Sequence, residues 1–412
     1  MKRRFLINKN ISLVLFIMVF TLYALVYMTK NCYSAAMASI VAAGVMTKSQ
    51  TGFIAAMFYL VYAPFQLIGG YAADKISPYK LILLGTLGGG VANTLIYFFA
   101  ENYVAMLIIW SANAIVQFGL WPSVFKIITT ELCEAHRDTA VFCITLSSTA
   151  GLFISYAVAV FIGNWKYNFL LSAIVLFSLT VIFFFSYRGI EKNMVEVEPE
   201  EIRVKKKREK SIFPMLIKSG VPIFALLYMI QSMLNAGLKG IVPVMLMESY
   251  SGVSDSVANA LNIILVLASP VGALLAATPF LQKAKSHTMI VAFFAASLPT
   301  VIIMCFIGKV KIAVAVAALA VLMVVMAAQS IYFFKISRSF DALDAVGLVA
   351  GIFNCAASLG IMASNVGFTR ISEIWGWDVT TLTCLILVGV GIILSLIVIP
   401  GWKKFSARHL EK

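Results

Sequence analysis

The chain has 412 residues, 61% of them hydrophobic and 12% charged, with a formal net charge of +14 and a mean hydropathy of +0.95. Soluble domains are about 45–50% apolar and about 25% charged, so this composition excludes a water-soluble fold and implies an integral membrane protein. A basic balance in such a chain points to anionic lipid headgroups rather than to nucleic acid.

The opening "MKRRFLINKN" runs into a charge-free apolar stretch from Ile11 to Thr29. That stretch is longer than the roughly 7–15-residue core of a cleaved signal. It is read as a retained first helix with a basic cytoplasmic flank. Charges and turn residues then cut the sequence into twelve candidate spans: 11–43, 50–73, 80–99, 103–127, 138–162, 166–187, 215–247, 255–280, 287–307, 311–334, 345–370 and 378–401. Each is close to or above the roughly 20 residues that cross a bilayer. The spacing predicts an all-α membrane protein of twelve transmembrane helices in two six-helix bundles, residues 1–187 and 214–412, joined by a cytoplasmic loop over 188–213. That loop, acidic first and basic second, is expected to be solvated.

With both termini inside, 25 of the 32 basic residues fall in cytoplasmic segments or at their edges. Five fall outside, namely Lys48, Lys166, Lys309, Lys311 and Arg370. The asymmetry predicts a multi-pass protein of the inner (plasma) membrane with cytoplasmic ends. The remaining two, Lys30 and Lys239, lie inside the first and seventh spans. An echo between halves is what two bundles related by a pseudo-twofold axis along the membrane normal would give.

The six cysteines have no CxxC spacing, there is no P-loop or HExxH, and the three histidines lie in polar loops or the tail. No enzyme, metal or cofactor is expected.

"GGYAADKISPYK" places Gly70, Asp74, Lys75 and Lys80 at the end of the second span. Gly70 permits close helix approach, Asp74 can meet a helix N-terminus or a cation, and the lysines can face anionic lipid. This spacing resembles the signature loop of the major facilitator superfamily, where such charges act as a gate. The likeness continues in "YALVYMTKNCYSAAM", "VYAPFQLIGGYAADKISP", "QFGLWP" and "NVGFTRISEIWGWD". These stretches resemble, in order, parts of helices 1, 2, 4 and 11 of the organophosphate:phosphate antiporter family, which includes glycerol-3-phosphate and hexose-phosphate transporters. The resemblance implies that family's fold and alternating-access transport. It also implies substrate contacts at Tyr23, Tyr27 and Lys30, where the family has two tyrosines and an arginine. Asn235 stands where the family has its second arginine, with Lys239 one turn on. Gln66 and Ser148 stand where it carries a basic residue and a histidine. Arginine grips phosphate through a planar fork and lysine offers a point charge, so these departures argue against a simple copy of the family's substrate.

Tyr23, Tyr27, Lys30 and Ser34 recur at i, i+4, i+7 and i+11, one helical face. Gln231, Asn235 and Lys239 recur at i, i+4 and i+8 on the seventh span. Tyr62 and Gln66, Gln117 and Trp121, Ser148, and Asn354, Ser358 and Asn365 add polar or aromatic groups on other spans. Polar side chains avoid lipid, so these faces are expected to line one wet cavity. Amides can also merely bridge helices, and lysines can snorkel. No Asp or Glu falls in mid-span, so the expected counter-ion of the lysines is the substrate and a carboxylate proton relay is not expected. The sequence thus reads as a transporter of a small organic anion, a carboxylate, sugar acid or phosphorylated metabolite, for which a monomer suffices. A neutral-solute transporter and a non-transporting membrane sensor are the alternatives.

Overall fold

The computed structural model describes residues 3–197, 213–306, 311–340 and 345–409. A short strand, β1 (Arg3–Leu6), precedes α1 (Lys9–Ala42). At 1.5 Å per residue α1 is about 51 Å long, more than a bilayer core. Gly44, with φ 66°, turns the chain toward α2 (Lys48–Lys75). Pro78 opens α3 (Pro78–Phe99), where its missing N–H leaves no helical bond unmade. Asn102 caps α4 (Tyr103–Val116) by accepting the Ala105 N–H at 3.0 Å.

The span expected over 103–127 is broken: α4 gives way at Gln117–Gly119 to α5 (Leu120–Thr130). Two further helices, α6 (Glu134–Phe161) and α7 (Lys166–Glu191), lead to β2 (Met194–Val197). Antiparallel pairing of β2 with β1 sets Arg3 opposite Val197 and Leu6 opposite Met194. The segment expected to be wholly solvated therefore begins with the end of a helix and a paired strand. Residues 198–212 lie outside the described residues.

The seventh expected span is in pieces. Two helices, α8 (Phe213–Lys218) and α9 (Val221–Ser232), are separated at Gly220, whose φ is 80°. A single π-turn over Met233–Gly237 then separates α9 from α10 (Leu238–Ser249). Ser254 caps α11 (Asp255–Ala276), and α12 (Pro279–Gln282), α13 (Ser286–Phe306) and α14 (Ile312–Arg338) follow. The last element, α15 (Val346–His409), runs 64 residues but breaks at Gly376, with φ 82° and ψ 171°. Only glycine adopts that conformation readily, and it lets one apolar stretch turn back as two.

Among the described residues nine helices are long and apolar enough to cross a membrane, or ten if the bent pair within α6 counts as one span. The burial pattern is that of a protein in lipid. Phe161 is 86% exposed, whereas Asn93, Asn113, Asn259, Asn262 and Gln329 are 0% exposed. Water-soluble proteins sort these residue types the other way.

The chain forms two compact units. One comprises Met1–Tyr33, Phe65–Val158 and Ile162–Ser211; the other comprises Ser34–Pro64, Ala159–Phe161 and Ile212–Lys412. In the first, α3 packs on α7, and a core including Leu15, Val19, Ile82, Val124, Ile144 and Phe183 fills the bundle. Its end is tied by Tyr187, whose hydroxyl donates to both carboxylate oxygens of buried Glu131 at 2.8 and 2.9 Å. In the second, α14 packs on α11 and α13, and α15 on α9. Ser39 of α1 donates to Asp255 of α11, and the Asn259 amide donates to the Ala35 carbonyl at 3.1 Å. Both units use close approach at small residues, which membrane helices favour where hydrophobic driving force is weak.

Candidate functional site

On helix α1 the partly exposed positions follow the polar spacing. From Leu22 to Ile40 the partly exposed residues are Tyr23, Leu25, Tyr27, Lys30, Ser34 and Ser39; all others are buried. The four polar positions spaced i, i+4, i+7 and i+11 are thus the open face of an otherwise enclosed helix. The Lys30 ammonium sits 5.8 Å from the Tyr27 ring centroid, a cation–π distance. Tyr27 stacks at 6.0 Å on Tyr23, which meets Trp121 at 5.0 Å. Trp121 lies just after the turn at Gln117–Gly119, in the first turn of α5.

The aromatic run is positioned from behind by α6. A Cβ on Gly151 would lie 2.8 Å from Tyr27 Cβ and 2.9 Å from the Met28 nitrogen, and would strike the Ala24 carbonyl. Glycine is what allows α1 and α6 to touch beneath the stripe. Ser148 lies one turn earlier on α6 and is half-buried.

Gln117 stands apart from this run. It is buried, its amide donates to Asn113 Oδ1 at 2.9 Å, and it lies beside Gly89 of α3. The bond runs back along α4, and the amide packs against α3. Gln66 is half-buried on α2 in the same unit. Of the gating motif, Lys80 is exposed on the first turn of α3, while the side chains of Gly70, Asp74 and Lys75 lie outside the described residues.

In the second unit Lys239 is 9% exposed and donates to Ser269 Oγ of α11 at 2.8 Å. Its carbonyl accepts from the Asn262 amide at 2.9 Å. Next to it, Gly240 leaves room bordered by Asn365 Oδ1 and Ser34 Oγ, 3.7 and 3.8 Å from where a Cβ would stand. Asn235 sits on the π-turn one turn before Lys239, with Oδ1 buried and lacking a hydrogen-bond partner among the described residues. Single π-turns inside α-helices recur at functional sites. The three residues predicted to share one face are in fact dispersed: the Gln231 amide donates to the Met326 carbonyl at 2.7 Å, while Lys239 reaches α11. Tyr62 is buried and stacked on Phe58 at 5.8 Å. Asn354 is half-buried on α15 and its carbonyl accepts from Ser358.

Sequence reasoning did not single out Ser269 or the π-turn. A serine ahead of Pro270 in an apolar span, and the polar-plus-glycine run "NAG" at 235–237, are the signals that were there to read.

A polytopic bundle with buried amides, a half-open cationic stripe and outward-facing phenylalanines defines a multi-pass membrane protein. Residues 19–364 match the Major Facilitator Superfamily, and the chain belongs to that family. Within it the chain is similar to the organophosphate:phosphate antiporters, as its motifs imply. It is 29% identical over 115 residues to the "Membrane sensor protein UhpC" of Salmonella typhimurium, covering 28% of this chain and 26% of the relative. It is 25% identical over 161 residues to the "Probable sulfoacetate transporter SauU" of Cupriavidus necator, covering 38% of this chain and 37% of that one. The matches therefore span about a quarter to a third of these relatives' length. In fold it is similar to a solved bacterial homologue of the human lysosomal transporter Spinster, with TM-score 0.78 at 13% identity over 97% of this chain and 99% of that one.

Proposed function

We propose that this chain is a secondary transporter of a small organic anion, working by alternating access through twelve membrane crossings with both ends in the cytoplasm. The observation that carries this reading is the stripe on α1: its partly open polar positions place an ammonium beside two tyrosines and a tryptophan. An anion with a short organic body suits a point cation set among aromatic rings. In this reading the six-helix halves 1–187 and 214–412 rock about that site, and Asp74 and Lys75 latch the cytoplasmic side.

Among the candidate anions, a carboxylate or sulfonate fits best. Lys30 supplies a point charge rather than a fork, which favours these over a bidentate phosphate grip. The probable sulfoacetate transporter among its relatives agrees with an anionic cargo. The likeness to a membrane sensor gives the second reading, in which the same site reports a ligand without moving it.

Proteoliposomes separate the two. Purified protein is reconstituted and tested for uptake of labelled sulfoacetate, glucuronate and glucose 6-phosphate, after a thermal-shift screen of the same compounds. Saturable uptake of an anion supports the transporter. Ligand-induced stabilisation without flux in either direction selects the sensor, and stabilisation by neutral sugars alone overturns the anion assignment.

A further inference from the structure

A groove runs between α3 and α7 on the exposed surface of the first unit. Its volume is about 460 Å³. The walls are Leu84 and Leu87 from α3 and Val181, Phe184 and Phe185 from α7, of which all but Phe184 are exposed. The single hydroxyl at the groove, Thr180, donates within the bundle to Thr86 Oγ1 and the Leu176 carbonyl, each at 2.8 Å. The floor is therefore apolar in effect as well as in composition.

The two helices are antiparallel. Tyr79 stacks on Tyr187 at 5.0 Å with rings 19° apart, Thr86 meets Thr180, and Gly90 lies against Phe177. This brings the start of α3 beside the end of α7, and each contributes a cation there: Lys80 follows Tyr79, and Arg188 follows Tyr187. Both are exposed, as is Lys192 one turn further on. The Arg188 guanidinium lies 4.2 Å from the Phe184 ring centroid, which sets it over the rim of the groove. From Leu81 to Phe99 and from Tyr167 to Tyr187 neither helix carries a charge. The groove is thus cationic at one end and hydrocarbon for the rest of its length.

We propose that this groove is a binding site for an anionic phospholipid, with one acyl chain against Leu84, Leu87 and Phe185 and the phosphate at Lys80 and Arg188. The polarity of the surface matches that of the ligand end for end. A zwitterionic headgroup satisfies it less well, because its ammonium would share the space with Arg188 and Lys192. The site is separate from the stripe on α1 and does not depend on what the protein carries.

Native mass spectrometry of the full chain in detergent tests the assignment, with phosphatidylglycerol and phosphatidylcholine of identical acyl chains as probes. The tightest-bound lipid is expected to favour phosphatidylglycerol by about fivefold, the worth of one cation near a phosphate surface. R188Q should bring the two lipids to parity. L84W, which fills the groove from an exposed position, should weaken both. Excess inorganic phosphate should displace neither, since the acyl chain contributes to binding. The assignment is overturned if R188Q keeps the preference, if L84W binds as the unmodified chain does, or if inorganic phosphate displaces phosphatidylglycerol, which would make this a free-anion site. Both substituted side chains are exposed, and unchanged helical circular dichroism confirms that the variants fold.

Discussion

Replacing Lys30 by glutamine removes the ammonium while keeping length and hydrogen-bonding capacity, and its effect divides into two parts. The ammonium lies 5.8 Å from the Tyr27 ring. A cation–π contact there contributes about 0.5–2 kcal/mol to the stability of the protein itself. The charge-assisted hydrogen bond to an anion forms only on binding and contributes about 1.5–3 kcal/mol. At about 1.4 kcal/mol per tenfold, Lys30→Gln should weaken anion binding roughly ten- to hundredfold. The ligand-free protein should lose only the smaller amount. Thermal-shift titration with sulfoacetate and glucuronate reads the first effect, and the melting temperature without ligand reads the second. Lys30→Arg should recover part of the affinity and shift preference toward glucose 6-phosphate, because the guanidinium restores a fork. Unchanged anion affinity and uptake in a folded Lys30→Gln protein would refute the reasoning and make the ammonium a snorkelling anchor.

Further tests bear on the packing around the site and at the loops. Gly151→Ala puts a methyl group into the contact with α1 and should cost about 1–3 kcal/mol by overpacking, with altered ligand affinity because Tyr27 must shift; a melting temperature and affinity equal to the unmodified protein would show that α6 does not set the stripe. Lys48 donates to Glu248 at 2.6 Å, Trp377 Nε1 donates to the same oxygen at 2.7 Å, and the Lys48 ammonium lies 5.4 Å from the Trp377 ring. A double-mutant cycle of Lys48→Gln and Glu248→Gln in thermal denaturation should return a coupling of about 1 kcal/mol, and a coupling indistinguishable from zero would remove the pair from the account of stability. The Lys166 ammonium hydrogen-bonds Glu101 and holds its carboxyl below the usual carboxylate range. A depressed carboxylate contributes stability above its unfolded pKa of about 4.3 and loses it as pH falls through the lower folded value. The melting-temperature gap between the unmodified protein and Lys166→Gln should therefore hold from neutral pH to about pH 5 and close in stronger acid. A gap unchanged at about pH 2 would contradict this pairing.

The sequence makes the existence of the helices plain, because hydropathy over about 20 residues is a bulk property of the segment and the bilayer imposes it. It says less about the path of the backbone inside each span. The break at Gln117–Gly119 and the π-turn at Met233–Gly237 change no residue's hydropathy, so twelve smooth spans were the natural expectation. In the first unit the break precedes Trp121, and in the second the π-turn carries Asn235 and alters the register toward Lys239. The pairing of β1 with β2 was equally hidden, since "RRFL" and "MVEV" are short and far apart, and only the fold brings them together. The compact units divide α1 between Tyr33 and Ser34, a division that no hydropathy pattern marks. Helix propensity has no bearing on which neighbours the two halves of a long helix touch.

The surroundings of the two intramembrane lysines were legible to different depths, and the difference has a physical cause. Around Lys30 the periodicity of the polar residues was enough, because α1 is regular from Lys9 to Ala42 and spacing converts directly into a shared face. Around Lys239 the same argument failed: Gln231 turned to the Met326 carbonyl and Lys239 to Ser269, on opposite sides of an irregular turn. The sequence treated the two cations as equivalents in matching places. The structure gives them unlike settings, one half-open beside aromatic rings and one buried with a hydroxyl on its ammonium and an amide on its carbonyl. To meet a solute, Lys239 must exchange its bond to Ser269. Any contribution of Lys239 to binding should therefore depend on Ser269, a dependence that spacing alone could not have disclosed.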